Sequence, residues 1–169
     1  YPMVTVNGEE CHNEWEITFE EIHRNAAIAQ AIKKYITSTE DYNFLENKGI
    51  KILIAISRFW QQRVNYSKAL NKYVILGVTG PNEYENNIDN NWYTNYSAKW
   101  CLEYTIKQLS EIAKRNSVSK DIICEANKLG LNEISSWKKI IDNIYIPYSK
   151  DLNIFIQNDG FLNKDLQPI

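Results

Sequence analysis

Apolar residues recur at spacings of three and four through most of this chain, and polar stretches rich in Asn, Gly and Pro separate those runs. Over 22–36, Ile22, Ala26, Ala29, Ile32 and Ile36, with Lys33 beside them, fall on one stripe of a helix. Over 42–64 the pattern continues through Leu45, Ile52, Leu53, Ile56, Phe59, Trp60 and Val64, and Gly49 is expected to weaken or break that helix near its first turns. The short apolar run over 73–78 has strand character and ends at Thr79-Gly80-Pro81-Asn82, where a polar loop begins that lasts to about Trp92. Helical period returns over 93–113 through Tyr96, Trp100, Tyr104, Leu109 and Ile112. A shorter helix is predicted over 119–129, with Gly130 ending it in a left-handed conformation. The last helical segment is predicted over 134–144, capped by Asn132, with Glu133 in its first turn and Pro147 as its stop.

This order predicts a mainly α chain with a defined geometry. Two helices of comparable length lie between the loops at 7–21 and 77–92, and an out-and-back pair returns the chain to the end where it began. A further helix out and a broken helix back bring 145–161 to that end too. Three polar, aromatic-rich loops should therefore share one face, as helical hairpins arranged in a barrel would present them.

Composition narrows the class of function. A net charge of -2, with Lys and Arg scattered, argues against a nucleic-acid or anionic-membrane surface. Cys11, Cys101 and Cys124 are far apart and lack a CxxC spacing, which fits reduced thiols and a cytoplasmic protein rather than a disulfide framework or a zinc site. The longest apolar stretch, 50–56, contains Lys51 and falls far short of the ~20 residues a membrane span needs. The length suits one compact unit, and a first residue of Tyr1 with a loop-like end at Gln167-Pro168-Ile169 reads as an internal piece of a longer chain.

Candidate chemistry concentrates in two loops. The stretch from Gly77 through Asn87 carries Glu83 and Glu85, several amides and a Gly-Pro turn, and Asn90-Asn91-Trp92-Tyr93-Thr94-Asn95-Tyr96 follows. Amides and carboxylates hydrogen-bond adjacent hydroxyls, and aromatic rings pack on the apolar faces of pyranoses, so the loop has the makings of a sugar site. The same composition also suits an Asn-rich surface loop in which Thr94 or Asn95 caps the next helix. The second concentration, Asn7 through Glu16, mixes carboxylates with His12, Asn13 and Trp15. One His among several Glu is more often a solvated segment before a helix than a metal site, and no metal is assigned. His23, on the helix that follows, is read as a structural hydrogen-bonding group, and the triplets Asn65-Tyr66-Ser67 and Asn95-Tyr96-Ser97 are discounted as glycosylation acceptors.

The runs Tyr1-Pro2-Met3, Asn7 through Asn25, Ile54 through Trp60, Gly77 through Asn87, Asn90 through Asn95 and Phe155 through Phe161 closely resemble the maltose phosphorylases of glycoside hydrolase family 65, with a weak match over about 109–150. That resemblance implies an (α/α)6 barrel with long active-site loops at one end, of which residues 1–169 would be a partial catalytic domain. It implies that Glu83, in Gly80-Pro81-Asn82-Glu83-Tyr84, is the general acid, and Asn82, where relatives acting on other disaccharides usually carry Asp, favours the maltose subgroup. It places His12, Asn13 and Glu14 at the subsite of the leaving glucose and makes Asn82, Tyr84, Asn91 and Tyr93 substrate-binding candidates.

The activity so implied is inverting phosphorolysis of an α-glucosyl disaccharide, maltose foremost, to glucose and β-glucose 1-phosphate. Inversion by hydrolysis takes two carboxyls, one to protonate the leaving oxygen and one to deprotonate water. Phosphate is already an anion, so phosphorolysis needs only the first, in a protonated state at neutral pH. Inorganic phosphate is the co-substrate and no cofactor is expected. No Gly-rich cradle before a helix is present to hold it, so the phosphate site is expected outside these residues and the isolated piece is expected to be inactive. The resemblance further implies a cytoplasmic homodimer. The alternatives are an inverting α-glucoside hydrolase on the same barrel, resembling glucoamylase or trehalase, a phosphorylase of trehalose, kojibiose or nigerose, and a noncatalytic sugar-binding helical scaffold.

Overall fold

The computed structural model describes residues 1–11 and 16–165. A short turn of helix, α1 (Ile17–Glu20), leads into α2 (Arg24–Thr39). The chain returns through α3 (Tyr42–Phe44), a π-helical turn over Leu45–Gly49, and α4 (Ile50–Arg63). A small antiparallel hairpin follows, β1 (Asn65–Ser67) with β2 (Lys72–Val74), in the register Asn65 to Val74 and Ser67 to Lys72. After the long loop come α5 (Trp92–Arg115), α6 (Ser117–Ala126) and α7 (Leu131–Asn143). A second hairpin, β3 (Tyr148–Ser149) with β4 (Ile154–Phe155), and a 3-10 turn at Phe161–Asn163 end the described chain.

The helical stripes do what their spacing implies. Ala26, Ala29, Ile32 and Ile36 of α2, Leu53, Ile56 and Trp60 of α4, and Ala98, Leu102 and Ile112 of α5 are buried in one continuous core, with α4 packed chiefly on α5. Trp137 and Ile140 of α7 extend that core, and the Trp137 indole N–H donates to Gln61 at 2.7 Å. Across the far side, Arg58 of α4 reaches Glu133 in the first turn of α7, with Nε to Oε1 at 2.6 Å and Nη2 to Oε2 at 2.9 Å. Its Nη2 also donates to the Asn127 carbonyl at 2.9 Å, so one planar fork closes the end of α6 against the start of α7.

Several local expectations are corrected. Gly49 does not break the helix. Its backbone stays helical, and the chain passes directly from the π turn over Leu45–Gly49 into α4. Close packing is the reason for glycine there, since a Cβ would lie 3.3 Å from Phe44 Cε1 and 3.4 Å from Ile32 Cγ2. Gly130 is extended, at φ -92° and ψ 159°, and precedes α7 as its N-cap. The left-handed residue that ends α6 is Lys128, at φ 51°. Asn132 lies inside α7 instead of capping it. That helix stops at Asn143, where Ile144 turns extended, short of Pro147. The strand expected over 73–78 shortens to Lys72–Val74 and pairs with a strand at Asn65–Ser67 that the apolar pattern did not reveal.

Candidate active site

The loop from Gly77 to Asn91 is closed at its base by an isolated bridge between Val78 and Ile88, whose backbones exchange hydrogen bonds at 2.9 and 2.8 Å. Left-handed backbone at Gly77, Asn87 and Asn90 turns the chain sharply at both ends of that bridge. Gly80 has no room for a side chain, because a Cβ would stand 2.4 Å from Asn91 Nδ2.

Side chains from the other two loops then fasten this one. The Thr79 hydroxyl donates to Glu20 Oε2 at 2.6 Å, and the Asn87 N–H donates to the same oxygen at 2.7 Å. One carboxylate from the end of α1 therefore ties both sides of the loop. On the opposite flank, Asn90 accepts from the Ile75 N–H at 3.2 Å and donates to Asp159 Oδ2 at 2.6 Å. The Trp92 N–H donates to the Gln157 carbonyl at 2.8 Å, and Asn91 Nδ2 donates to the same carbonyl at 3.2 Å. The three loops expected to share one end of the helical layer do share it.

Within this frame Glu83 is exposed, on the rim beside Pro81, Asn82 and Tyr84. Glu21, between α1 and α2, is only 6% exposed. Burial pushes the Glu21 carboxyl above its ordinary range, the charge and hydrogen bond of Glu83 push it further, and Arg24 opposes them. His23 is next in the chain, and its ring meets the Tyr93 ring edge-on at 5.6 Å. Burial pulls its pKa down, against a hydrogen bond to the Thr79 backbone. Its Nδ1 is buried and has no hydrogen-bond partner among the described residues.

Asn82 donates to Gln157 Oε1 at 3.3 Å and accepts from the Tyr84 N–H at 3.3 Å, an Asx turn that sets the direction of the chain through Glu83. Tyr84 is 98% exposed. Asn91 is placed as the cap of α5. Its Oδ1 accepts from the Thr94 N–H at 3.0 Å and the Thr94 hydroxyl at 3.1 Å, and the residue is buried. Thr94 and Asn95, the caps considered from sequence, are instead buried inside the first turns of α5. Tyr93 is partly exposed beside His23. His12, Asn13 and Glu14 lie outside the described residues.

A cleft of about 320 Å³ adjoins the Glu83 rim, sharing Pro81 and Asn82 with it. Part of its lining is aromatic: Trp92 leans on Phe155 at 5.3 Å and is backed by Tyr96, stacked at 5.1 Å. Two of the residues lining it, Trp92 and Gln157, carry buried N–H donors, Nε1 and Nε2, that have no acceptor among the described residues. Sequence reasoning missed Glu20, Glu21 and Gln157. The adjacent carboxylates in Phe19-Glu20-Glu21-Ile22, with apolar residues on both sides, were the available signal for the first two.

The chain is 54% identical over 171 residues to a maltose phosphorylase of Bacillus subtilis (strain 168), covering 100% of this chain and 21% of that protein. It is 42% identical over 168 residues to an alpha,alpha-trehalose phosphorylase of Thermoanaerobacter brockii, covering 98% of this chain and 21% of the relative. A solved structure assigned as a kojibiose phosphorylase from the human microbiome superposes with a TM-score of 0.84 at 30% identity, over 94% of this chain and 23% of that one. The chain thus spans about a fifth of the length of the curated relatives it matches. The mainly α architecture is that of a segment of an (α/α)6 barrel, as this likeness and the helical layer agree. The glycosyl hydrolase family 65 central catalytic domain matches residues 1–169 throughout, and the chain belongs to that family.

Proposed function

We propose that this chain is part of an inverting disaccharide phosphorylase that cleaves maltose with inorganic phosphate, with Glu83 as its general acid. The observation that carries the reading is the placement of Glu83. It sits on a loop pinned on both flanks, by Glu20 on one side and by Gln157 and Asp159 on the other, next to Pro81 and Asn82, which also line the neighbouring aromatic cleft. A carboxyl held so can hand its proton to the glycosidic oxygen while phosphate attacks the anomeric carbon from the opposite face. The anomeric carbon exchanges its bond to the leaving oxygen for a bond to phosphate oxygen, which gives glucose and β-glucose 1-phosphate.

Trp92, Tyr93 and Tyr84 supply ring faces for the sugars, and the donors of Trp92 and Gln157, which have no acceptor among the described residues, suit sugar hydroxyls. Asn82 directs Glu83 through its Asx turn, and Asn91 holds α5 and the Gln157 loop from behind. The leaving-glucose subsite is assigned to His12, Asn13 and Glu14 on the family resemblance. Phosphate binding, the rest of the barrel and the further domains belong to the longer protein. Identities of 54% to a maltose phosphorylase and 42% to a trehalose phosphorylase favour maltose over trehalose, with Asn82 in support. Free thiols at Cys11, Cys101 and Cys124 suit the cytoplasm, and no helix among the described residues is long and apolar enough to cross a membrane. A homodimeric full-length enzyme rests on the resemblance and is checked by sedimentation.

The test is glucose release from maltose by the full-length enzyme, with and without phosphate, beside its Glu83→Gln variant. Release that depends on phosphate and falls by about 10²–10⁴-fold in the variant is expected. Release without phosphate would make the enzyme a hydrolase with its base elsewhere, and full activity in the variant would remove Glu83 from the chemistry.

A further inference from the structure

Gln157 joins the aromatic cleft to the loop that carries Glu83, and backbone chemistry fixes which way its side-chain amide points. The Tyr84 N–H can only donate, so the Asn82 atom it meets at 3.3 Å is Oδ1. The other end of the Asn82 amide, Nδ2, donates to Gln157, and the atom that receives it at 3.3 Å is Oε1. Gln157 Nε2 is thereby left for another partner, and it is buried with no acceptor among the described residues. We propose that Gln157 is a specificity-determining residue whose Nε2 donates to one hydroxyl oxygen of a disaccharide in the cleft, with Asn82 setting that polarity. The inference rests on the reading of the chain as part of a maltose phosphorylase with Glu83 as its acid.

The residue is held in place without a sugar. Its backbone carbonyl accepts from the Trp92 N–H at 2.8 Å and from Asn91 Nδ2 at 3.2 Å, and Asn82 occupies its Oε1, so Nε2 is the side-chain atom left over. Gln157, Asn82 and Pro81 line the cleft together with Trp92, Phe155 and Phe161, whose rings suit the apolar face of a pyranose. A buried N–H without an acceptor is costly, so such a site rewards a ligand oxygen that completes it and rejects a ligand that lacks one. Trp92 Nε1 is a second buried donor on the same lining, with one difference. An indole can only donate, whereas a primary amide offers a donor or an acceptor according to what holds its other end. In Asn82→Asp both side-chain oxygens are acceptors. The Tyr84 N–H keeps one, and the Gln157 amide must turn to give Nε2 to the other. Oε1 then stands where Nε2 stood, and the sugar meets an acceptor. Gln157→Glu has the same result by another route: Asn82 Nδ2 keeps one carboxylate oxygen, and the second takes the place of Nε2.

The experiment measures kcat/KM for phosphorolysis of maltose and of each of its monodeoxyfluoro analogues by the full-length wild type, Asn82→Asp, Gln157→Glu and Glu83→Gln enzymes. Carbon-bound fluorine accepts weakly and cannot donate, so it is tolerated opposite a donor and rejected opposite an acceptor. Within each enzyme the analogue is compared with maltose, which cancels the folded fraction and any effect of the new charge on Glu83. Between enzymes the same analogue is compared with itself, which cancels the inductive effect of fluorine on the reacting carbon. At one hydroxyl position the fluoro analogue, relative to maltose, is expected to lose about tenfold in both Asn82→Asp and Gln157→Glu. A position served by Trp92 should keep its wild-type ratio in both. Ratios that stay put at every position, that shift equally at all of them, or that shift at different positions in the two variants would overturn the proposal and leave Glu83 as the acid. Should Gln157→Glu fail to fold, Asn82→Asp decides alone, since residue 82 is only half-buried. An active Glu83→Gln enzyme, or a wild type that releases no glucose 1-phosphate from maltose, would instead overturn the reading on which the inference rests.

Discussion

Where α4 packs on α5, the buried groups are mostly hydrocarbon: Leu53, Ile56 and Trp60 face Ala98, Leu102 and Ile112, and a polar pair there, Ser57 and Thr105, bond to each other at 2.8 Å. At the loop end the balance reverses. Backbone N–H groups of Ile75, Gly77, Asn87 and Thr94 are satisfied by side chains, those of Asn90, Asp89, Glu20 and Asn91. The helical layer therefore depends on volume, which neighbouring side chains share, and the loop end depends on individual polar atoms, which have no substitutes. Damage to the first should appear as lost stability with normal catalysis in the molecules that remain folded. Damage to the second should appear as lost catalysis out of proportion to stability.

Trp60→Ala breaks the comparison from the side of the layer. Its side chain is fully buried in the core, so truncation is expected to cost about 3–5 kcal/mol in denaturant unfolding of the full-length enzyme. The kcat/KM per folded molecule should stay near wild type. A collapse of catalysis in protein shown to be folded would mean that core and loops are one mechanical unit. Gly80→Ala works from the other side. The added methyl would meet Asn91 at 2.4 Å, displacing the amide that caps α5 and holds the Gln157 carbonyl. A cost of about 1–3 kcal/mol is expected, with kcat/KM falling by more than stability alone explains. Unchanged catalysis in a destabilised Gly80→Ala enzyme would refute the claim that this loop end is held for the sake of Glu83.

The same division decides what the sequence could reveal. Core helices are written in a local, repeated code, and Ile22 through Ile36 or Tyr96 through Ile112 could be read from spacing with errors of a few residues at the ends. That three loops meet at one end followed from counting helices. Which atoms join them did not, because Glu20 to Thr79, Asn90 to Asp159 and Asn82 to Gln157 are separated by 59, 69 and 75 residues. The cap of α5 was ambiguous in a run with Asn90, Asn91, Thr94 and Asn95, each of which can cap or turn a chain. Gly130 misled for a related reason: a glycine after a helix suits a left-handed end, and Lys128 took that conformation first. Glu83 stood out through its motif, whereas nothing in Phe19-Glu20-Glu21-Ile22 told which of the two carboxyls the fold would bury.

Asn91→Ala sharpens the contrast at lower energy. Loss of the cap to Thr94 is expected to cost about 1 kcal/mol, measured by denaturant unfolding, with a larger proportional effect on kcat/KM because the Gln157 carbonyl loses its Asn91 partner as well. An effect on stability alone would place Asn91 with the helical layer.

The smallest effect separates the two regions by pH. Glu21 is buried like a core residue but ionises, and its folded pKa lies above the ordinary carboxylate value of 4.5. Between that value and the raised one, the folded protein holds a proton that the unfolded chain has released, so this group makes stability fall as pH rises through the window. Gln at the same position cannot titrate. The melting temperature of the wild type relative to Glu21→Gln should therefore decline as pH rises from below 4.5, then level off once Glu21 is ionised in both states. Arg24 opposes the shift and Glu83 reinforces it, so removing the Glu83 charge in a Glu83→Gln background should shrink the decline. A flat difference across the window would mean that Glu21 sits in a setting as welcoming to charge as water, and the loop end would then owe nothing to its burial.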